Sequence, residues 1–144
     1  MNRRLALALS VVATLGACAS GPKYSEVQQS FPALGADHGR IYFFRSSSML
    51  GAAIQPAIWL NGEVVGQSQP GSFFFVDRAA GEFVASTSTE TEKTASFALA
   101  AGETKYIRSS PSLGVLIGRI NLSPEDATTA KAEIETLAYI GPKR

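Results

Sequence analysis

Cysteine, histidine and surplus charge are all scarce in this chain of 144 residues. One cysteine, Cys18, cannot close an intrachain disulfide or build a structural zinc site, which takes four protein ligands. One histidine, His38, leaves no cluster of imidazole ligands. A His-based triad needs an orienting carboxylate and a nucleophile around the ring, and nothing near His38 encodes that set; it reads as a solvated loop histidine at a strand edge. Thirteen Lys and Arg against 12 Asp and Glu leave a formal charge of +1, which is no electrostatic footprint for nucleic acid. No apolar run reaches the roughly 20 residues that a spanning helix needs. No glycine-rich loop leads from a strand into a helix, so a phosphate cradle has no basis. We find no internal repeat. Nothing here implies a cofactor, a metal or a catalytic residue.

What is present begins at the N-terminus. Arg3-Arg4 precede an apolar stretch over 5–15 and then small residues, the layout of an export signal rather than mature structure. The stretch ends in Leu15-Gly16-Ala17-Cys18, which resembles the lipobox of bacterial lipoproteins. That resemblance implies a signal peptide over 1–17, cleavage before Cys18, a diacylglyceryl group on the Cys18 thiol and acylation of the new amine. An ordinary signal cut at Ala17-Cys18-Ala19 is the other reading, but it strands an unpaired thiol in an oxidising compartment. One acyl chain holds a protein marginally, and two or more hold it stably. The membrane is therefore an expected partner, through lipid alone. Ala19 and Ser20 are not the Asp that resembles an inner-membrane retention signal, which implies the outer membrane, periplasmic face. Cleavage also removes Arg3 and Arg4 and leaves the mature chain near neutral.

Residues 18–37 read as a lipidated tether, with Val27 and Phe31 able to dock and Pro32 stopping a short helix that starts near Tyr24. Residues 38–144 read as one domain. Runs rich in β-branched and aromatic residues fall at 39–45, 56–60, 63–66, 72–77, 82–89, 94–99, 103–109 and 115–122, separated by turn signals. Asn61-Gly62 is the clearest turn, since a type I′ hairpin needs positive φ at both central residues. The period then changes. Ser123 offers a cap, Pro124 suits a first helical position, and Glu125-Asp126 suit the helix dipole. Ala127, Ala130, Ile134 and Leu137 share one stripe of the helix that follows. The expected fold is mainly β: an antiparallel β-sandwich of about eight short strands with one C-terminal amphipathic helix.

Two of those strands have no polar face. Ile41-Tyr42-Phe43-Phe44 and Phe73-Phe74-Phe75-Val76 are apolar at every position, whereas a sheet with one wet face alternates. Either the helix covers the outer face of the Tyr42/Phe44 and Phe74 strands, the favoured reading, or Tyr42, Phe44 and Phe74 form an aromatic surface that binds a partner.

The elements Gly39-Arg40-Ile41-Tyr42-Phe43-Phe44-Arg45, Leu60-Asn61-Gly62, Gly66, Gly71-Ser72-Phe73-Phe74-Phe75-Val76-Asp77 and Ala80-Gly81-Glu82-Phe83 resemble a family of bacterial envelope lipoproteins with a β-sandwich domain of uncharacterised function. Their hairpin and following strands are also similar to modules related to carboxypeptidase regulatory domains. The resemblance implies fold and carries over no catalytic residue. Two functional classes stay open. The favoured one is a non-enzymatic envelope module that binds or scaffolds an envelope protein or cell-wall component. The alternative is a hydrolase acting on cell-wall glycan or peptide, for which Asp37, Glu63, Asp77, Glu82 or Glu103 would have to converge about 5–10 Å apart across a cleft.

Overall fold

The computed structural model describes residues 19–141. The chain runs through α1 (Tyr24–Val27), a 3-10 turn (Gln28–Ser30), β1 (His38–Arg45), β2 (Ala57–Leu60), β3 (Glu63–Gln67), β4 (Ser72–Ala79), β5 (Gly81–Ser88), β6 (Glu92–Leu99), β7 (Thr104–Ser112), β8 (Arg119–Pro124), α2 (Ala127–Ile134) and β9 (Ala138–Tyr139). Five strands form one sheet in the order β8-β7-β1-β4-β9, and four form the other in the order β3-β2-β5-β6. The expected mainly β sandwich with one C-terminal helix is what the chain forms. Within the five-stranded sheet β1 runs parallel to β7 and β4 parallel to β9, while the remaining pairings are antiparallel.

Strand periodicity explains the layering. Ile41 and Phe43 of β1 and Phe74 and Val76 of β4 point between the sheets, where Ile58, Leu60, Val65 and Leu99 meet them. Tyr42, Phe44, Phe73 and Phe75 point the other way and join Tyr106 beneath Ala130, Ile134 and Leu137. The five-stranded sheet is thus a middle layer with both faces dry, which is why its central strands read as continuous apolar runs. The four-stranded sheet alternates buried and exposed residues along β6, as a sheet with one wet face does.

The helix covers the outer face of Tyr42 and Phe44 as expected, but Phe74 does not share that face. It pairs with Phe43 across the β1–β4 ladder and stacks on it at 5.2 Å in the inner core, so Phe73 and Phe75 are the β4 residues under the helix. Other boundaries also move. Asp126, not Ser123, caps α2, its side chain accepting from the Thr129 N–H at 2.9 Å, and Pro124 ends β8 instead of opening the helix. Residues 115–118, expected in the last strand, belong instead to a loop over 113–118. The Asn61-Gly62 turn is as expected, with φ of 48° and 83°. The Asn61 side chain extends it by accepting from the Val84 N–H at 2.8 Å and donating to the Glu82 carbonyl at 3.1 Å.

The stretch before β1 lies along the domain. The Tyr139 N–H donates to the Pro22 carbonyl at 2.8 Å, Lys23 bridges to Ala138, and Tyr24 and Phe31 pack on the outer aromatic cluster. Strand directions then sort the connections into two ends. Loops 46–56, 68–71, 89–91 and 113–118 gather at one end, and turns 61–62, 80 and 100–103 at the other.

Candidate functional site

Cys18 lies outside the described residues. Its neighbour Ala19 is held at the loop end, where its N–H donates to the Pro70 carbonyl at 3.1 Å. Tyr42, Phe44 and Phe74 are 6%, 2% and 1% exposed, so they form no open aromatic face, which corrects the aromatic-patch reading; of the three only Tyr42 meets a cavity. The physical reason is the third layer: α2 and the N-terminal strap close over Tyr42 and Phe44, and Phe74 faces the opposite sheet.

The five carboxylates weighed for acid–base work all belong to the turn end. Four of them are tied to a neighbouring basic side chain. Asp37 bonds His38 at 2.7 Å, Asp77 takes Arg40 Nε at 2.7 Å and Nη2 at 2.8 Å, Glu103 takes Lys105 at 2.8 Å, and Glu63 meets Arg78 at 3.5 Å. Glu82 is exposed. The hydrogen bond from His38 holds the Asp37 carboxyl below its ordinary value. The Lys105 ammonium and the Ala100 N–H do the same for Glu103. A general acid needs the opposite shift. No group of three or more His, Cys, Asp or Glu among the described residues could hold a metal ion.

The concave feature that carries chemistry lies instead over the outer aromatic layer. Tyr24, Gln28, Tyr42, Tyr106, Lys131 and Glu135 surround a cavity of about 270 Å³ between α1 and α2. Its floor is the stacked pair Tyr42 and Tyr106, with ring centroids 5.4 Å apart and planes 11° apart. Burial, then the neighbouring Tyr24, pushes the Tyr42 phenol up to about 12, and burial also raises Tyr106. Both hydroxyls therefore stay protonated and can donate as well as accept. Ring faces flanked by one ammonium and one carboxylate suit a neutral or dipolar ligand with hydroxyl or amide groups. Of these residues only Tyr42 was singled out from the sequence. Tyr24 falls in the expected tether, Tyr106 in an ordinary strand, and Lys131 and Glu135 on the exposed side of a helix. No local motif links positions so far apart.

Two polar assemblies, one half-buried and one buried, shape the loop end. Arg108 lies over the Phe44 ring and pairs with Glu125 at 2.8 Å and Glu133 at 2.6 Å, while Ser46 bonds both Arg108 and Glu133. Arg45 is 1 % exposed and meets no carboxylate among the described residues. Its guanidinium donates to the carbonyls of Ile54 and Gly51 at 2.7 Å each and of Ser68 at 3.2 Å, fastening loop 46–56. Burial lowers its pKa, as desolvation must for a cation.

Residues 35–119 match the family described as "Protein of unknown function (DUF2846)". The chain is also similar to an "Uncharacterized protein" of Haemophilus influenzae, 26% identical over 134 residues that cover 90% of this chain and 79% of that one. No solved structure matches it.

Proposed function

We propose that this chain, which belongs to the DUF2846 family of unknown function, is a lipid-anchored, non-enzymatic module of the cell envelope that binds another envelope component. The observation that carries the binding reading is the cavity over the stacked Tyr42 and Tyr106 rings, which sets aromatic faces beside one ammonium and one carboxylate. The hydrolase reading is disfavoured because Asp77, Glu63 and Glu103 are paired with Arg40, Arg78 and Lys105, Asp37 is bonded to His38, and none of the five carboxylates lines a described cavity. Anchoring rests on the lipobox resemblance at Leu15-Gly16-Ala17-Cys18, and Ala19 and Ser20, neither of them the Asp that resembles an inner-membrane retention signal, support the periplasmic face of the outer membrane.

Two measurements test the two halves. Metabolic labelling with a fatty acid is expected to mark the wild type and not Cys18→Ser; an unlabelled wild type with a free thiol would refute anchoring. A photo-crosslinking residue at Gln28, on the cavity rim, is expected to capture one envelope protein or peptidoglycan fragment in intact cells. The same residue at Ala101, at the turn end, is expected to capture nothing; equal capture from both positions would refute the cavity as the site.

A further inference from the structure

We infer that the loop end of the sandwich sits in the bilayer surface, with Met49, Leu50, Leu113, Val115, Leu116 and Ile117 reaching into the acyl region beside the lipid on Cys18. The inference rests on the proposed lipidation and adds to it a second, non-covalent membrane contact. The six side chains are between 55 and 86% exposed and belong to only two loops, 46–56 and 113–118. Those loops adjoin: Leu50, Gly51 and Ile54 of the first face Leu113, Leu116 and Ile117 of the second across a cavity of about 220 Å³. Soluble monomers rarely leave contiguous apolar area of this kind without a use.

Both loops expose apolar side chains while buried or folded-back side chains take up several of their backbone polar groups. The Glu90 carboxylate accepts the N–H groups of Val115 at 2.9 Å, Leu116 at 3.3 Å and Gly118 at 3.4 Å, which turns the apolar side chains outward. Gly114 allows this, since a Cβ there would overlap the Glu90 carboxylate. In the other loop the Arg45 guanidinium takes the Gly51 and Ile54 carbonyls. An unpaired backbone group costs most where water is absent, so a loop entering lipid must bring its partners with it.

The position of the chain start selects a membrane as the occupant. Ala19 is hydrogen-bonded to Pro70, and Gly71 is hydrogen-bonded to Arg45 and Ser46, so Ala19 lies at the base of loop 46–56. Consecutive Cα atoms are about 3.8 Å apart, so the acylated Cys18 has no spare chain with which to stand off. Acyl chains fixed at that point bring the bilayer to this end of the sandwich. Interfacial elements bury their apolar side roughly 5–10 Å deep. The opposite end carries Asp37, Glu63, Arg78, Glu82, Glu103 and Lys105 and points toward water.

The lipidated full chain carrying Leu116→Cys tests this directly, because the lipid consumes the one native thiol. An environment-sensitive fluorophore at position 116, in vesicles of phosphatidylethanolamine and phosphatidylglycerol, is expected to shift to the blue and be quenched by brominated acyl chains. The same label on Ala101→Cys is expected to stay water-like and unquenched. A water-like, unquenched label at position 116 on protein that floats with the vesicles overturns the inference and leaves lipidation standing. Protein that fails to float and retains a free Cys18 thiol refutes lipidation and the inference together. A blue shift that appears without vesicles and fades on dilution makes the loops a self-association surface and also overturns the inference. The melting midpoint of Leu116→Cys is expected to match the wild type, since Leu116 is 86% exposed.

Discussion

Gly62 and Gly66 stand in one hairpin under opposite constraints. Gly62 has φ of 83° and nothing within 4 Å of where a Cβ would sit, so its requirement is conformational. Gly66 is buried in β3, and a Cβ there would overlap the Phe74 ring, so its requirement is space. Gly62→Val is expected to cost of order 1–3 kcal/mol, the usual range for forcing a side chain into a sparsely populated backbone region. Gly66→Ala is expected to cost about 1–3 kcal/mol by overpacking. Urea denaturation of double variants separates the causes: Phe74→Leu should recover part of the Gly66→Ala loss and none of the Gly62→Val loss, since only the first pair touches. Equal recovery in both would refute the assignment. The Asn61-Gly62 turn was legible because its backbone demand is local. The demand at Gly66 was not, because the ring that fills its space lies on a strand of the other sheet.

At the scale of elements, what a stretch becomes depends on where its backbone groups go. Val115, Leu116 and Ile117 have strand-like side chains, yet β8 pairs with β7 only from Arg119 onward. The N–H groups of Val115, Leu116 and Gly118 go to Glu90, 25 residues from Val115, and no local window in the sequence reveals that carboxylate. The helix shows the same limit in milder form. Its apolar stripe was legible, but the acid that caps it was settled by which side chain reaches the Thr129 N–H. The Glu90 loop has a measurable pH dependence. Desolvation works upward on Glu90, but the N–H groups of Val115, Gly118 and Leu116 outweigh it and hold the carboxyl below its ordinary 4.5. A depressed folded-state pKa stabilises the native turn fully above the ordinary value, and that contribution disappears as pH falls through the lower, folded value. The amide shifts of Val115 and Gly118 are therefore expected to titrate with a midpoint below 4.5, and Glu90→Gln to abolish that titration. A midpoint at or above 4.5 would mean that the carboxylate does not hold the loop.

For the whole molecule, the sandwich and its covering helix were legible because two strands without a polar face demand a layer on each side. The helix alone does not complete the outer layer. It is eight residues long, and the remaining cover comes from the other end of the chain, through Tyr24 and Phe31, with Tyr139 of β9 against Phe31. Phe31 lies 4.6 Å from Phe75 and 5.2 Å from Tyr139, and Tyr24 lies 5.9 Å from Phe73, ring centroid to ring centroid. A strap that reads as tether, with its glycine and prolines, is thereby recruited as structure, because the aromatic face beneath it is more costly to wet than the strap is to order. Burying a large apolar side chain contributes about 1.5–3 kcal/mol, and the half-buried position of Phe31 puts Phe31→Ala toward the lower figure. The expected result is a lowered melting midpoint for Phe31→Ala and a further drop for Phe31→Ala with Tyr24→Ala, accompanied by binding of a hydrophobic dye to the uncovered Phe73 and Phe75. The drop should be larger than for Val84→Ala, whose side chain is exposed on the outer face of the four-stranded sheet. If the double variant melts with the wild type and binds no dye, the strap is a loose tether after all, and Cys18 would regain the slack that the membrane-seated arrangement denies it.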